Sequence, residues 1–475
     1  MNPTLRNILL FSLLLCPISA SPPPSRCPTY IDTVVPAGQD GHYGRREPGD
    51  PFLATMRDVH DTLSRCPDIK SLKLRVAGLG CTEHPDRWSF PFDLATPSRY
   101  PSALEALDLE GYRFDDSAWA EASQPPHPTG SRFWDAVAWL GSGRVRDWLR
   151  WLPLSPEQKA KTNLDLWVDA MDFSHVRELS LRGMWGLSLD LRALAAQLES
   201  LRSLTITSSD GTWARDLILA LPENSLTSLT WQLSGETGAS VLPVLRHHAQ
   251  SLKSLEWREP ESNYRQRRVM TPGEIAELGR MAPNLERLTL DVNRNGTWPL
   301  EHLEALATSF PNVVNVTIFL EIASECRRQL ESSEGYKGPR WKENEPEACG
   351  GIDSMAQPLL DRPGAATLFE FLREKKAGAD LTKVVFYAGD WTRPWDGALA
   401  EEQWLDGRQA FIVCEALVDD GIPVAGPSGR GYLCQGIGTQ IASPYSLSGY
   451  SESSSPFDSP AWQGALAQRA LLMQL

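Results

Sequence analysis

The chain lacks the short motifs that mark most hydrolases, nucleotide-binding proteins and metalloenzymes. Its 475 residues contain no H-E-x-x-H, G-x-S-x-G or G-x-G-x-x-G sequence and no phosphate-binding loop. No C-x-x-C pair with histidine partners offers a zinc site, and the adjacent His247 and His248 fall in a predicted helix, where neighbouring side chains point apart. The sequence therefore predicts no catalytic residue, no metal ligand and no cofactor, and it leans away from an enzyme.

Positive charge is also scarce. The 46 Lys and Arg residues are outnumbered by 60 Asp and Glu residues, which gives a formal net charge of −14. Nucleic acids and anionic membrane surfaces attract positive proteins, so neither a nucleic-acid partner nor binding to an anionic membrane surface is expected. Hydrophobic residues make up 41% of the chain, which is enough for a folded core.

Long hydrophobic runs are absent except near the N-terminus. Arg6 precedes the apolar residues 8–15, Pro17 interrupts the run, and small residues follow at Ser19 and Ala20. This run is too short to cross about 30 Å of hydrocarbon, and its layout is typical of a secretory signal peptide. We therefore expect residues 1–20 to be a signal peptide, the protein to be secreted to the extracellular space, and no part of the chain to span a membrane.

Cysteine is limited to eight residues, of which Cys16 lies inside the signal peptide. In an oxidising compartment most of the seven others are expected to pair, and the odd number leaves one thiol over. Proximity in the sequence predicts the bridges Cys66–Cys81, Cys326–Cys349 and Cys414–Cys434, with Cys27 as the free thiol. The sequons at Asn295 and Asn315 fit the same compartment and are candidate N-glycosylation sites.

What the sequence has in abundance is one repeated template, which reads apolar, two free positions, apolar, one free position, apolar. The starts of the copies from 176 to 313 are separated by 25, 25, 26, 33 and 28 residues. The nine copies are Ile69-Leu72-Leu74, Leu104-Leu107-Leu109, Val176-Leu179-Leu181, Leu201-Leu204-Ile206, Leu226-Leu229-Trp231, Leu252-Leu255-Trp257, Leu285-Leu288-Leu290, Val313-Val316-Ile318 and Leu381-Val384-Phe386.

The segments between the copies carry apolar residues at helical spacing. Residues 155–158 and 271–274 have the sequence of capping boxes, and Pro67, Pro283 and Pro311 each stand two residues before a copy, where they end a helix. Each unit is therefore predicted to be one strand plus one helix, and such units bury their apolar faces only by stacking. The predicted fold class is an α/β solenoid with a curved parallel sheet on its concave side.

The template and its spacing resemble leucine-rich repeats of the longer, helix-containing kind. Residues 167–181 (WVDAMDFSHVRELSL) are similar to the divergent leucine-rich repeats of filamentous-fungal proteins, many of them of the F-box type. The chain departs from that pattern because most of the usual asparagines after the strands are absent and some units are inserted or degenerate. A signal peptide also stands where an F-box would be, which disfavours an intracellular ubiquitin-ligase adaptor.

The repeats divide the chain into segments. Two stretches are too long for one repeat and are interpreted as insertions, the first Trp-rich and helical and the second charged. The expected segments are an irregular N-terminal lead-in at 21–50, the leucine-rich-repeat-like solenoid at 51–395 with insertions at 110–175 and 321–365, a C-terminal cap at 396–442, and a Ser-rich linker with a short terminal helix at 443–475.

The free positions of the strands are predicted to line the concave face, which is where solenoid proteins usually bind. Short hydroxyl side chains dominate these positions, with a few charges of both signs. A glycan on Asn315 would occupy the same face, so occupancy of that sequon and ligand binding exclude each other. The predicted binding residues are Glu178, Thr205, Thr230, Glu256, Arg287 and Thr289.

Two functions stay open at this point. The first is non-catalytic recognition of an extracellular protein or glycan through the concave face. The alternative is a secreted carbohydrate-binding or carbohydrate-active protein, because the insertion at 110–175 holds six of the 17 Trp residues and flat rings stack well on sugars. An intracellular adaptor of the F-box type requires residues 1–20 to stay uncleaved.

Overall fold

All nine copies of the template form strands, and the fold is an α/β arrangement in which mostly parallel strands alternate with helices. The chain divides into two compact units, Met1–Leu226 and Thr227–Leu475. The structure, a computed structural model, describes residues 27–36, 53–77, 85–96, 99–101, 103–123, 131–141, 144–183, 191–207, 211–232, 234–259, 261, 266–328, 351–389, 409–419, 422–423 and 431–439.

In the first unit, each described strand pairs in parallel with the next one along the chain. The strands are β1 (Tyr30–Val35), β2 (Ser71–Val76), β3 (Ala106–Glu110), β4 (Glu178–Arg182) and β5 (Ser203–Thr207). The helices are α1 (Met56–Arg65), α2 (Ala118–Ser123), α3 (Arg132–Gly141), α4 (Arg144–Trp151), α5 (Pro156–Ala160), α6 (Asn163–Ala170), α7 (Arg192–Ala195) and α8 (Gly211–Ala220).

In the second unit the parallel order continues from β6 to β10, after which β11 and β14 add antiparallel strands. The strands are β6 (Ser228–Gln232), β7 (Ser254–Arg258), β8 (Arg287–Val292), β9 (Asn315–Leu320), β10 (Lys383–Ala388), β11 (Ala410–Ala416), β12 (Val418–Asp419), β13 (Ile422–Pro423) and β14 (Tyr432–Ile437). The helices are α9 (Gly238–Arg246), α10 (Pro272–Met281), α11 (Leu300–Ser309) and α12 (Arg362–Lys375), and Gly351–Ser354 forms a short 3₁₀ turn.

The template positions form the core. All 27 apolar side chains of the nine copies are at most 5% exposed, including the indoles of Trp231 and Trp257. Burying one such side chain stabilises a fold by about 1.5–3 kcal/mol, so these rows are a major favourable contribution to folding. The free positions between them are half-buried or exposed, as the alternation of a strand requires.

Local sequence signals set the helix ends. The two capping boxes expected from the sequence are present, because Ser155 caps α5 together with Gln158 and Thr271 caps α10 together with Glu274. The same reciprocal bonds between side chain and backbone begin α1, α6 and α9. Each box satisfies two backbone N–H groups that a helix start otherwise leaves unpaired.

The expected irregular lead-in contains a strand, β1, which pairs with β2 in the register Tyr30↔Ser71. This register brings the residues just before both strands to the same end of the sheet. Cys66 therefore forms a disulfide with Cys27, and the expected Cys66–Cys81 bridge with Cys27 as the free thiol was wrong. Sequence proximity failed here because the strand pairing, which the sequence did not reveal, decides which cysteines meet.

The other expected bridges have different outcomes. Cys414 and Cys434 face each other in the register of β11 and β14 and form the expected disulfide. Cys326 is also disulfide-bonded. Cys81 and Cys349 lie outside the described residues, so the expected Cys326–Cys349 bridge stays a prediction. The expected signal peptide and the expected linker and terminal helix at 443–475 lie outside the described residues too. Among the residues that are described, no helix is long and apolar enough to cross a membrane.

The insertion at 110–175 is helical, as expected, and a cluster of buried aromatic rings joins it to α1 and to the segment before β3. Trp167 on α6 lies 5.2 Å from both Phe90 and Tyr100, measured between ring centroids. His60 on α1 closes the cluster through a 2.6 Å hydrogen bond between its Nδ1 and the Tyr100 hydroxyl. Burial lowers the pKa of His60 to about 4, so the imidazole is neutral and fits this apolar setting.

The turn after β3 provides a test of the strand packing. Gly111 has φ +69°, and a Cβ there would lie 2.1 Å from the Val76 carbonyl oxygen of β2. Gly183 occupies the matching turn after β4 with φ +58°, but its nearest contact is 3.6 Å. We expect Gly183→Ala to cost about 1 kcal/mol for the left-handed backbone, and Gly111→Ala about 1–3 kcal/mol more because the neighbouring strand must move.

The measurement is the free energy of unfolding in denaturant for the wild type and both variants. Equal losses for the two glycines would show that β2 and β3 are not packed as closely at this turn as the structure has them.

Candidate functional site on the polar strand face

Four of the six predicted binding residues lie together in the second unit. The strand register places Thr230 beside Glu256 and Glu256 beside Thr289, and the same row continues to Thr317. Arg287 precedes Thr289 by two residues and therefore projects from the same face. Neighbouring strands lie about 4.8 Å apart, so one ligand can contact several of these side chains at once.

The other two predicted residues lie in the first unit. Glu178 on β4 pairs with Ser203, and Thr205 on β5 pairs with Ser180. Thr205 therefore lies two residues further along its strand than the residue that pairs with Glu178. Glu178 is exposed and Thr205 is half-buried. Both side chains project from the same face of their strands. The main candidate site is the group of four residues in the second unit.

Glu256 provides a fixed negative charge in the middle of that group. Gln232 on β6 donates its Nε2 to Oε1 of Glu256 at 2.5 Å, and the Nη1 of Arg258 lies 4.0 Å from the same oxygen. The Glu256 side chain is 27% exposed, so solvent and ligands can still reach it. Arg287 supplies an exposed positive charge one strand away. The site thus presents hydroxyls and both signs of charge.

A buried stack of rings closes the end of this face. The Arg258 guanidinium lies 3.3 Å from the ring centroid of Phe319, which stacks on Tyr387 with centroids 4.5 Å apart and planes 5° apart. Tyr387 in turn lies 5.0 Å from Phe411 on β11. Arg258, Phe319 and Tyr387 are each less than 9% exposed, so the stack limits the candidate site rather than belonging to its accessible surface.

Three buried carboxylates at the strand ends form what we call the carboxylate ladder: Glu259, Asp291 and Glu321. Glu259 Oε2 accepts a hydrogen bond from the Gly235 N–H at 3.1 Å, and Asp291 Oδ2 accepts one from the Glu259 N–H at 2.6 Å. Glu321 Oε1 accepts one from the Arg294 N–H at 2.7 Å. Each carboxylate therefore holds the backbone of the preceding repeat. The ladder fixes the turns that follow the strands.

Arginines neutralise two members of the ladder, Asp291 and Glu321. Arg267 donates from Nη1 to Asp291 Oδ1 at 3.0 Å and from Nη2 to the Phe319 carbonyl at 2.5 Å. Arg328 donates from Nη1 to Glu321 Oε2 at 3.2 Å. These side chains are at most 7% exposed, and buried charges persist only when they are paired and hydrogen-bonded.

Burial shifts the protonation of this region. Burial raises the pKa of Glu259 to about 7, and the nearby Asp291 charge adds to the rise, while hydrogen bonds from Ser234 and Gly235 oppose it. Burial also raises the pKa of Glu261, whose carboxylate accepts the Ile322 and Ala323 N–H groups at 2.8 and 3.2 Å. Burial lowers the pKa of Arg294 to about 10. The perturbed groups all serve the strand-end turns.

The carboxylate ladder was not predicted from the sequence, although the sequence shows a polar position after three of the strands. Leucine-rich repeats carry an asparagine three positions after the last strand leucine. In this chain Ser234, Asn293 and Glu321 occupy that position in three repeats. Ser234 donates to Glu259, and Asn293 accepts from the Nε of Arg267 at 3.0 Å. Polar side chains thus occupy this position in all three repeats, and one of them, Asn293, is an asparagine.

Charged residues also link the strands of the first unit. Arg182 on β4 donates from Nη2 to both oxygens of Asp108 on β3, and its Nη1 lies 3.6 Å from Glu110. The Nε of Arg75 on β2 lies 3.1 Å from the Oε1 of Glu110. Asp108 faces outward on the strand, so ion pairs occupy part of the face that the template predicts to be free for ligands.

The two sequons differ in setting. Asn295 is exposed in the turn between β8 and α11, where a glycan can be attached without disturbing a strand. Asn315 is half-buried on β9, and its Oδ1 accepts a hydrogen bond from the Thr382 hydroxyl at 2.9 Å. Of the two, Asn295 is the accessible candidate.

The Trp-rich insertion places its six indoles in different environments. Trp151 and Trp167 are buried, and Trp119, Trp139 and Trp148 are half-buried in a packed group around a 6.0 Å stack of Trp119 on Trp148. Trp134 is 61% exposed.

Among the described residues, no group of three or more His, Cys, Asp and Glu is arranged to hold a metal ion.

Comparison with known proteins gives no relative. No protein-family model matches the chain, and no curated protein matches it significantly.

The ladder generates a stability prediction. Asp291→Asn removes the charge that faces Arg258 and Arg267, which leaves these buried guanidinium groups only the more distant carboxylates of Glu256 and Glu261, at 4.0 and 3.9 Å. We expect a loss of about 3–5 kcal/mol in the free energy of unfolding. The matched control is Glu286→Gln in the same repeat, which breaks only the 2.9 Å surface pair with Lys253 and should cost less than about 1 kcal/mol. Similar losses in both variants would contradict a structural role for the ladder.

Glu259 generates a pH prediction. Its folded-state pKa of about 7 lies above the ordinary 4.5, so folding favours the protonated carboxyl. The stability from this group is therefore fully present below about pH 4.5 and is lost as the pH rises through about 7. Glu259→Gln keeps a neutral hydrogen-bonding side chain at every pH. We expect the wild type to lose about 1–3 kcal/mol more than this variant between about pH 5 and pH 8.

The measurement is denaturant unfolding of both proteins across that range. Parallel stability curves would mean that Glu259 is ionised normally in the folded protein.

Proposed function

We propose that the protein is a secreted, non-catalytic recognition protein that binds an extracellular protein or glycan through the polar strand face of its second unit. The observation that carries the proposal is the grouping of Thr230, Glu256, Arg287 and Thr289 on one solvent-accessible face. Because the ladder holds the adjoining turns, the strands present these side chains on a rigid surface, which lowers the entropy cost of binding.

We also propose that the repeats are of the leucine-rich kind. Three features support this: the alternation of strands with helices along most of the repeats, the burial of the template positions, and the polar side chains at the position where such repeats carry asparagine. In this interpretation Asn293 is the asparagine that such repeats carry, and Ser234 and Glu321 take its place in holding the turns of their own repeats.

Secretion is supported by the cysteines. The Cys27–Cys66 and Cys414–Cys434 disulfides are compatible with an oxidising compartment, in agreement with the signal peptide expected at residues 1–20. Secretion predicts a mature chain that starts after that segment, with the exposed Asn295 accessible to glycosylation.

The chemistry of the face indicates the kind of partner. The hydroxyls of Thr230 and Thr289 donate and accept hydrogen bonds, and Glu256 and Arg287 bind opposite charges. Such a surface fits a polar partner with hydrogen-bonding groups of both kinds, as a glycan or the polar surface of a protein offers. Binding to this surface does not require a ligand with a strong charge of one sign.

The test is a double charge reversal, Glu256→Lys with Arg287→Glu. We expect the variant to lose the partner that the tagged wild type cross-links in culture supernatant, or the glycan that it binds on an array, by at least about tenfold in affinity, because both charged contacts become repulsive. Glu256→Lys also removes the hydrogen bond from Gln232 and places a positive charge near Arg258, so thermal unfolding of the variant is measured beside binding to check that it is folded.

The matched control exchanges Arg246 and Glu277, a 3.0 Å surface pair between α9 and α10 on the helical side of the same unit. Binding should persist in Arg246→Glu with Glu277→Arg. Unchanged binding in the Glu256 and Arg287 variant would show that the binding site does not lie on the strand face.

A further inference from the structure

More than half of the large hydrophobic side chains that are exposed in the described part of the chain lie on α3 and α4 or directly after α4. Six of the ten exposed large hydrophobic side chains lie within residues 133–152. Phe133, Val137 and Leu140 follow one another at helical spacing and form a stripe along α3. The six are Phe133 (68% exposed), Trp134 (61%), Val137 (43%), Leu140 (55%), Leu149 (54%) and Leu152 (46%). A cluster of this kind on a folded protein marks an interaction site.

Polar bonds hold the opposite sides of these helices against the first unit. Arg144 at the start of α4 donates to the backbone carbonyls of Asp86 at 2.7 Å and Glu121 at 3.2 Å. Trp139 donates its Nε1 to the Ala122 carbonyl at 2.8 Å, and Trp151 donates its Nε1 to Asp93 at 3.0 Å. The apolar side chains are therefore displayed outward by helices that are fixed from behind.

The net charge of −14 does not favour an anionic surface, but exposed arginines flank the stripe. Residues 131–161 contain six Lys and Arg against three Asp and Glu, although Arg144 is buried beside Glu121 and Lys161 pairs with Asp169. Arg132 and Arg146 are exposed, and Arg150 is 56% exposed beside Asp93. A partner with negative charge and an apolar interior complements this surface.

We propose that α3 and α4 dock the folded protein on an anionic lipid surface, with Phe133, Trp134 and Leu140 inserted among the acyl chains and Arg132 and Arg146 at the headgroups. Side chains that are more than half exposed project from the protein instead of lining a groove, which suits insertion into a fluid layer better than contact with a rigid protein. Helices that lie in a membrane interface combine this aromatic and leucine face with flanking arginines. This surface is separate from the polar strand face and does not depend on it.

The experiment is co-sedimentation of the mature, disulfide-intact protein, without residues 1–20, with vesicles of phosphatidylcholine, with or without phosphatidylserine. We expect binding to the vesicles that contain phosphatidylserine, weakened by salt. Phe133→Ser with Trp134→Ser should reduce vesicle binding by at least about tenfold, and Arg132→Glu with Arg146→Glu should abolish the preference for phosphatidylserine. The matched control, Leu219→Ser with Leu300→Ser, removes two exposed leucines elsewhere and should bind as the wild type does.

Absence of vesicle binding by the wild type, or binding that survives the Phe133 and Trp134 substitutions, would overturn the proposal. So would a lipid-independent dimer that those substitutions dissociate, measured by light scattering, because the patch would then be an interface between copies of the chain. The Glu256 and Arg287 variant should bind vesicles normally, so a failure of the strand-face proposal is distinguishable from a failure of this one.

Discussion

The constraint on which the second unit depends is the need to satisfy backbone N–H groups in the turns that follow its parallel strands. The strands themselves exchange hydrogen bonds, but a turn buried against the next repeat has no such partner. Glu259, Asp291 and Glu321 supply the acceptors, each reaching back to the repeat before it. The stacking of the repeats and the carboxylate ladder are therefore two aspects of the same geometry.

This solution places charge inside the protein, where Glu259, Asp291 and Glu321 are each at most 6% exposed. A carboxylate is a stronger acceptor than the amide of asparagine, but removing it from water is costly unless a cation accompanies it. Arg267 and Arg328 are the accompanying cations, and Arg258 connects Asp291 to the aromatic stack of Phe319 and Tyr387. The ladder thus sets the limit of the polar strand face. Polar side chains on the solvent side of that limit are available for a ligand, and those beyond it hold the fold.

The sequence predicted the elements whose signals are local. The L-x-x-L-x-L template located nine strands, and the capping box at Thr271 located the start of α10, because periodicity and capping involve residues close in the chain. Strand β1 carries no template copy, so its pairing with β2 and the Cys27–Cys66 bridge followed from neither spacing nor composition. Within the site, Thr230, Glu256 and Thr289 were found because they are free positions. Arg267 was missed because it reaches Asp291 from a segment outside the template.

Hydrogen exchange at single-residue resolution tests the central claim, that buried carboxylates hold the strand-end turns. The account predicts that the amides of Glu259 and Arg294, which donate to Asp291 and Glu321, exchange as slowly as amides within β8. The amide of Gly296 in the exposed turn that follows should exchange much faster. Exchange of Glu259 and Arg294 at the rate of Gly296 would contradict the account, because the turns would then open without the rest of the unit.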